Sequence, residues 1–320
     1  MVRLAIMTAS PKSVCVIIPV YQSFDQLEKT VQELKETLIS SLELKSLNYE
    51  LQRVVLVDDG SKDGSAEVIK SLSQNPLISS IYLNRNYGQH AAIFAAVLSS
   101  TEDVIVTMDE DGEHDPSIIS SMIKELENGK NDIVYAAFKQ KKFNFKEISS
   151  SVAKRFIAFI SREPNIKHIS SFRAVRGPIF RAASVYANNG SFLDIALGWI
   201  SSNVSTVETS KRVTDRKSTY NLKSLVNHFS KLFFAAGIKP LIFLFNIGWV
   251  ISMFSLIGIA VIVYGKFFGS IPVQGWVSNI VVIVFFGGLT ISSVGLVARY
   301  LSSIVETSSG KPFFTIKNQK

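Results

Sequence analysis

Three consecutive acids follow a short apolar run. Val104-Ile105-Val106 leads through Thr107-Met108 into Asp109-Glu110-Asp111 and then Gly112-Glu113-His114-Asp115-Pro116. Two carboxylates one residue apart at a strand end can hold a hard divalent cation. Mg²⁺ or Mn²⁺ takes a few carboxylates together with phosphate oxygens and water. The same residues suit a solvated acidic loop, since acids commonly serve as turns and helix caps. Asp115-Pro116 fits an N-cap followed by an N1 proline, which makes Asp115 structural. A second acid-rich turn, Asp58-Asp59-Gly60-Ser61-Lys62-Asp63-Gly64-Ser65, closes another apolar run. Further on, Arg173 and Arg176 are of the type that grips phosphate in two-pronged fashion, or they are ordinary surface charge. Asp194, alone among apolar neighbours, is either an N-cap or a site carboxylate.

These residues need strands and helices to position them. Continuous apolar runs at 14–20, 51–57, 78–83, 103–108 and 133–137 read as buried strands. Between them lie helices. Leu27, Val31, Leu34 and Leu38 recur at helical spacing, 66–72 and 90–99 follow, and a helix from Pro116 stops at Gly129. The order β-α, four times repeated and then β, predicts a doubly wound, mostly parallel α/β sheet with helices on both faces. Ligands bind at the carboxyl ends of such strands. No G-x-G-x-x-G follows the first strand, so a dinucleotide-binding Rossmann domain is not supported, and there is no P-loop. A further strand is expected at 204–207, followed by a basic run at 211–220.

The last third differs in character. Of the 320 residues, 47% are hydrophobic and the formal net charge is +8. Residues 241–264 and 275–298 carry no charge, and each run is long enough to span a bilayer core of about 30 Å. Trp249, Tyr264, Trp276 and Tyr300 fall toward the span ends. Lys223, Lys231 and Lys239 precede the first run, and Arg299 and Lys311 follow the second, which places both flanks in the cytoplasm. Leu222, Leu225, Val226, Phe229, Leu232 and Phe233 make an amphipathic juxtamembrane helix. The basic helix around 148–162 either lies at the membrane surface or packs on the sheet. Gly248/Ser252 and Gly288/Ser292 allow close helix approach, within the hairpin or in a homo-oligomer. The positive charge points to anionic lipid or phosphate-bearing substrates, and no nucleic-acid-binding signature is present. Cys15 lies in an apolar strand and excludes an intrachain disulfide, and residues 1–13 do not form a signal peptide.

Taken in order, V-I-I-P-V-Y, V-D-D-G-S-K-D-G-S, L-N-R-N-Y-G-Q-H-A-A, M-D-E-D-G-E-H-D-P, S-S-F-R-A-V-R and the two apolar runs resemble the family 2 glycosyltransferases. The resemblance is to the branch of dolichol-phosphate mannosyltransferase and bacterial polyprenyl-phosphate glycosyltransferases. It implies a GT-A fold (residues 14–220) after an N-terminal extension (1–13). A juxtamembrane helix (221–239), a two-helix transmembrane hairpin (240–300) and a cytoplasmic tail (301–320) would follow. It also implies roles. Pro19 and Tyr21 lie beside the nucleotide base, and Asp58 accepts from it. Arg85 and Gly88 line the nucleotide pocket, and Asp109 lies by the ribose and diphosphate. Asp111 ligates Mg²⁺ or Mn²⁺, and Arg173, Arg212 and Arg216 contact phosphate. The departures from the family pattern are Gln22 for Asn, Glu113 for Gln near the metal, Ser171 for Asp, and Asp215 for Gly in the basic run. Glu113 either joins Asp111 on the metal or marks another acceptor. His114 is a ligand or a loop hydrogen-bonder.

Three functions follow as expectations. The first is an inverting, metal-dependent transferase moving one sugar from a nucleotide-sugar donor to polyprenyl phosphate at the cytoplasmic face of a bacterial inner membrane. An ionised lipid phosphate needs positioning and no base. The second is transfer to a hydroxyl of a lipid-linked glycan, which needs a general base, with Asp194 as the candidate. The third is a catalytically silent membrane scaffold. The lack of Q-x-x-R-W and the small number of spans speak against a processive polysaccharide synthase.

Overall fold

The computed structural model describes residues 10–138, 170–186, 193–210, 212, 264, 276–308 and 312–317. The chain divides into two units, the second formed by Phe156–Arg162 and Leu222–Lys311 and the first by the rest.

In the first unit, β1 (Lys12–Val20), β2 (Tyr49–Asp58), β3 (Ile78–Tyr82), β4 (Val104–Thr107) and β5 (Ile133–Phe138) form as their apolar runs require. Helices α1 (Leu27–Ser40), α2 (Leu42–Ser46), α3 (Ser65–Leu72), α4 (Gln89–Leu98) and α5 (Ile118–Asn128) connect them. Then come β6 (Arg173–Arg176), α6 (Gly177–Ser184), α7 (Leu193–Ile200) and β7 (Val204–Thr209). The sheet order is β3-β2-β1-β4-β6-β5-β7. β1 pairs in parallel with β2 and with β4, and β5 with β7, but β6 runs antiparallel between β4 and β5. The sheet is therefore mixed. The four-residue β6 escapes an apolar-run criterion because it begins and ends on arginine.

Strand alternation sends successive side chains to opposite faces. Val14, Val16, Ile18 and Val20 join one core with α1 and α5 residues. Cys15 and Ile17 join the other, with α4, α6 and α7. α4 is Ala-rich and almost wholly buried, so the helix sits close to the sheet. The segment 312–317 also belongs to this unit: Ile316 bridges Leu83 antiparallel, at the end of β3.

In the second unit, α8 (Trp276–Ser308) is a continuous helix of 33 residues over the second uncharged run. Counting only the described residues, no helix is long and apolar enough to cross a membrane. The first uncharged run, apart from Tyr264, lies outside the described residues. So do the basic helix around 148–162 and the juxtamembrane helix.

The start of the β1–β4 pairing is fixed by a reciprocal clasp. The Ser13 amide and hydroxyl donate to Asp103 Oδ2 at 2.8 and 2.9 Å, and the Asp103 amide donates back to the Ser13 carbonyl at 3.1 Å. The Ser13 amide bond holds the Asp103 carboxyl below the usual carboxylate range. A carboxyl lowered in the folded state stabilises fully above its unfolded pKa and loses that contribution as pH falls through the folded value. Asp103→Asn should therefore cost about 1 kcal/mol at neutral pH. Thermal unfolding measured from pH 7 downward should show a shallower loss below about pH 4 than in the wild type.

Candidate active site

The β1–β4 ladder ends at Ile17↔Thr107, closed by the Met108 amide donating to the Ile17 carbonyl at 3.1 Å. β2 and β3 lie on one side of this ladder and β6 on the other, so the topological switch point falls here. A cleft of about 330 Å³ opens there, lined by Pro19, Val20, Tyr21, Asp59, Asn86, Gly88, Gln89, Asp109, Glu110 and Asp111. That volume is in the range of small-molecule sites.

Asp109 is held from three directions. Gln89 Nε2 donates to one carboxylate oxygen at 2.5 Å and Ser171 Oγ to the other at 2.6 Å. The Asp109 amide donates to His114 Nδ1 at 3.1 Å. His114 is buried and stacked against Phe172 and Phe138, with ring centroids 4.8 and 5.5 Å away. It is thus a loop hydrogen-bonder that fixes the acidic turn. Ser171, the residue departing from the family pattern, supplies a donor at the position where Asp would add charge. Asp111 Oδ1 accepts the Glu113 amide at 3.0 Å, and its Oδ2 has no hydrogen-bond partner among the described residues. Gly112 between them has φ +73°, and a Cβ there would lie 2.6 Å from Gln26 Nε2. Glycine takes this left-handed backbone without strain, whereas a side chain here would also have to displace Gln26.

The second acidic turn behaves differently from the expectation. Asp58 is buried and accepts the Ser61 amide at 3.0 Å, closing its own turn, and it does not line the cleft. Asp59 does. Its two oxygens accept the amides of Tyr87 at 2.7 Å and Gly88 at 2.8 Å, and burial pushes its carboxyl up. Gly60 packs on the same loop: with φ +72°, a Cβ would lie 2.7 Å from the Arg85 carbonyl carbon. Arg85 is exposed and lies over the Tyr87 ring, 4.8 Å from its centroid. Of the expected nucleotide residues, the cleft gathers Pro19, Tyr21, Gly88 and Asp109. Gln22 sits beside them at φ +53°, a region Asn enters more readily than Gln.

The predicted phosphate contacts and base lie elsewhere. Arg173 is 2% exposed. It is ion-paired to Asp194, and Tyr135 Oη also donates to Asp194 at 2.9 Å. Burial first, and then the Asp194 charge, push the Tyr135 hydroxyl well above its ordinary range. Asp194 therefore neutralises a buried arginine. The pair is buried on both sides, and among the described residues the Arg173 Nε has no hydrogen-bond partner. Arg212 lies 2.5 Å from Glu33 and 3.0 Å from Asp115, and its amide donates to the Glu113 carbonyl at 3.1 Å. Neither Glu113 nor Arg212 lines the cleft. Arg216 lies outside the described residues. Asp59 and Gln89 carry no distinguishing signal in the sequence, and Ser171 stands out there only as a departure from the family pattern. A buried acid beside an adjacent acid gives no signal of which one faces the ligand.

The sequence profile of Glycosyl transferase family 2 matches residues 15–185. The chain belongs to family 2. The enzyme's sheet is a GT-A-like mixed sheet, as in mannosyl-3-phosphoglycerate synthase from Rubrobacter xylanophilus. That likeness has TM-score 0.53 and 16% identity over 70% of this chain and 72% of that one. Glucosyl-3-phosphoglycerate synthase from Mycobacterium tuberculosis, crystallised with Mn²⁺ and UDP, has TM-score 0.50 and 15% identity over 71% and 80%. In sequence the glycosyltransferase is 27% identical over 313 residues to undecaprenyl-phosphate 4-deoxy-4-formamido-L-arabinose transferase from Photorhabdus laumondii, spanning 96% of this chain and 94% of that relative. It is 25% identical over 309 residues to the uncharacterised Bacillus subtilis glycosyltransferase YkcC, spanning 94% and 92%. Membership of a transferase family sets the silent-scaffold reading aside.

Removing one partner of a buried ion pair leaves an uncompensated charge and costs about 3–5 kcal/mol. Asp194→Ala should therefore lower the melting temperature sharply. A general-base role would instead show as lost turnover and an altered pH–rate profile at wild-type stability.

Proposed function

We propose that this glycosyltransferase moves a single sugar, with inversion, from a nucleotide sugar to polyprenyl phosphate at the cytoplasmic face of a bacterial inner membrane. The observation that carries the reading is the reach of the similarity. The family profile ends at residue 185, but the undecaprenyl-phosphate transferases of Photorhabdus laumondii and Proteus mirabilis match over 96% and 95% of this chain, including its apolar last third. The two uncharged runs, read as membrane spans, would keep the cleft near the headgroups where a lipid phosphate lies.

The acceptor's oxygen, ionised near neutral pH, attacks the anomeric carbon while the bond from that carbon to the nucleoside diphosphate breaks. Nothing in this step requires a base. That agrees with Asp194 being engaged by Arg173 and Tyr135. The donor's diphosphate gains negative charge as it leaves. A bound Mg²⁺ or Mn²⁺ supplies charge neutralisation there. Asp111, with an open carboxylate oxygen on the cleft, and Asp109 are the residues that would hold it. Among the described residues no three of His, Cys, Asp and Glu gather as a metal site. A site of one or two carboxylates completed by substrate phosphate and water is the usual one for Mg²⁺. Asp109, gripped by Gln89 and Ser171, gives the cleft a fixed negative wall. Asp59 holds the loop that forms its other side.

Membranes containing the enzyme, given labelled nucleotide sugars and Mg²⁺ or Mn²⁺, should yield a labelled lipid extractable into organic solvent. No lipid product from a broad donor panel would overturn the reading. Asp111→Asn should lower transfer by about 100-fold or more, and nucleoside diphosphate binding followed by calorimetry should lose its dependence on added metal. Near-wild-type values in both measurements would remove the metal role.

A further inference from the structure

Strand β3 is an edge of the sheet, and an edge strand leaves backbone groups open for pairing. The chain's own segment 312–317 covers that edge. The Lys317 amide donates to the Tyr82 carbonyl at 2.7 Å and the Asn84 amide to the Thr315 carbonyl at 3.0 Å. Phe313 meets Phe94 of α4 edge-on at 5.8 Å, and with Phe314 it packs on the core of that sheet face. The segment is thus seated by backbone pairing and by apolar contact together. It also lies outside the residues matched by the family profile.

Its polar side meets the loop after β3. Thr315 Oγ1 accepts from Asn84 Nδ2 at 2.8 Å and pairs with the Tyr87 hydroxyl at 2.6 Å. Tyr87 and Gly88 in turn give their amides to the two oxygens of Asp59. Asn86, Gly88 and Asp59 line the cleft. A hydroxyl on residue 315 is therefore linked through one tyrosine to the loop that forms one wall of the site.

We propose that segment 312–317 is a positioning strap of the donor site, with Thr315 and Tyr87 as positioning residues that hold loop 84–88 in its ligand-ready shape. The strap acts on donor affinity and leaves the chemical step alone, since neither residue lines the cleft. This inference rests on the functional reading above for its kinetic consequence, though its structural core does not.

The test uses the full chain and its Tyr87→Phe, Thr315→Val and double variants. Hydrogen exchange at the Tyr87 and Gly88 amides needs no donor. It should quicken by about tenfold in each variant, with the amides of β1 unchanged. Donor KM should rise about five- to tenfold and kcat stay within about twofold, as for loss of one hydrogen bond that positions a binding loop. The double variant should match Thr315→Val, because both substitutions remove the same link. Unchanged exchange at residues 87 and 88 overturns the strap. So does faster exchange with an unaltered KM, or a fall in kcat that tracks a lowered melting temperature. Should the wild type turn over no nucleotide sugar, the functional reading fails, and the exchange measurement still decides the strap.

Discussion

The end of the ladder between two parallel strands dictates the rest of this enzyme. Ile17 and Thr107 are the last pair in the β1–β4 ladder; beyond them β1 still pairs with β2 as far as Val20, and the turn after β4 must satisfy its polar groups by other means. The chain does so with carboxylates that accept from neighbouring loops. Asp59 takes two amides from the loop after β3, and Asp109 takes Gln89 and Ser171 from opposite sides of that ladder. The acids at the strand ends are therefore connectors as well as candidate ligands. Asp111 is the exception: among the described residues its second oxygen accepts no hydrogen bond.

Much of this was legible from the chain alone. The apolar runs gave the parallel strands, and the acids at the end of β4 gave the place of the cleft, because strand ends in a doubly wound sheet are where side chains converge without being buried. What stayed hidden was whatever depends on a distant partner. Nothing local tells that Arg173 is buried, since arginine on a four-residue strand looks like surface. It becomes intelligible only once Asp194 and Tyr135 arrive from other elements. The same holds for Asp58 and Asp59, adjacent and chemically identical, of which backbone direction selects one to cap its own turn and the other to face the cleft.

Arg212 shows a further limit of motif transfer. A basic residue in the right motif was expected at phosphate, but its guanidinium lies between Glu33 and Asp115. Side-chain hydrogen bonding to Glu33 raises the Arg212 pKa further, so its charge is fixed. Sequence fixes the charge of such a residue, and only the fold decides which carboxylates compete for it.

The antiparallel cover on β3 has a consequence for biosynthesis. β3 is made long before the segment that closes its edge: Asn84 and Thr315 are 231 residues apart in the chain. Until then the rim of the sheet beside the cleft is an open hydrogen-bonding surface. The nascent enzyme must survive the synthesis of its entire apolar last third with that rim uncovered. Residues 312–317 then cover that edge and end its exposure to mispairing with other chains.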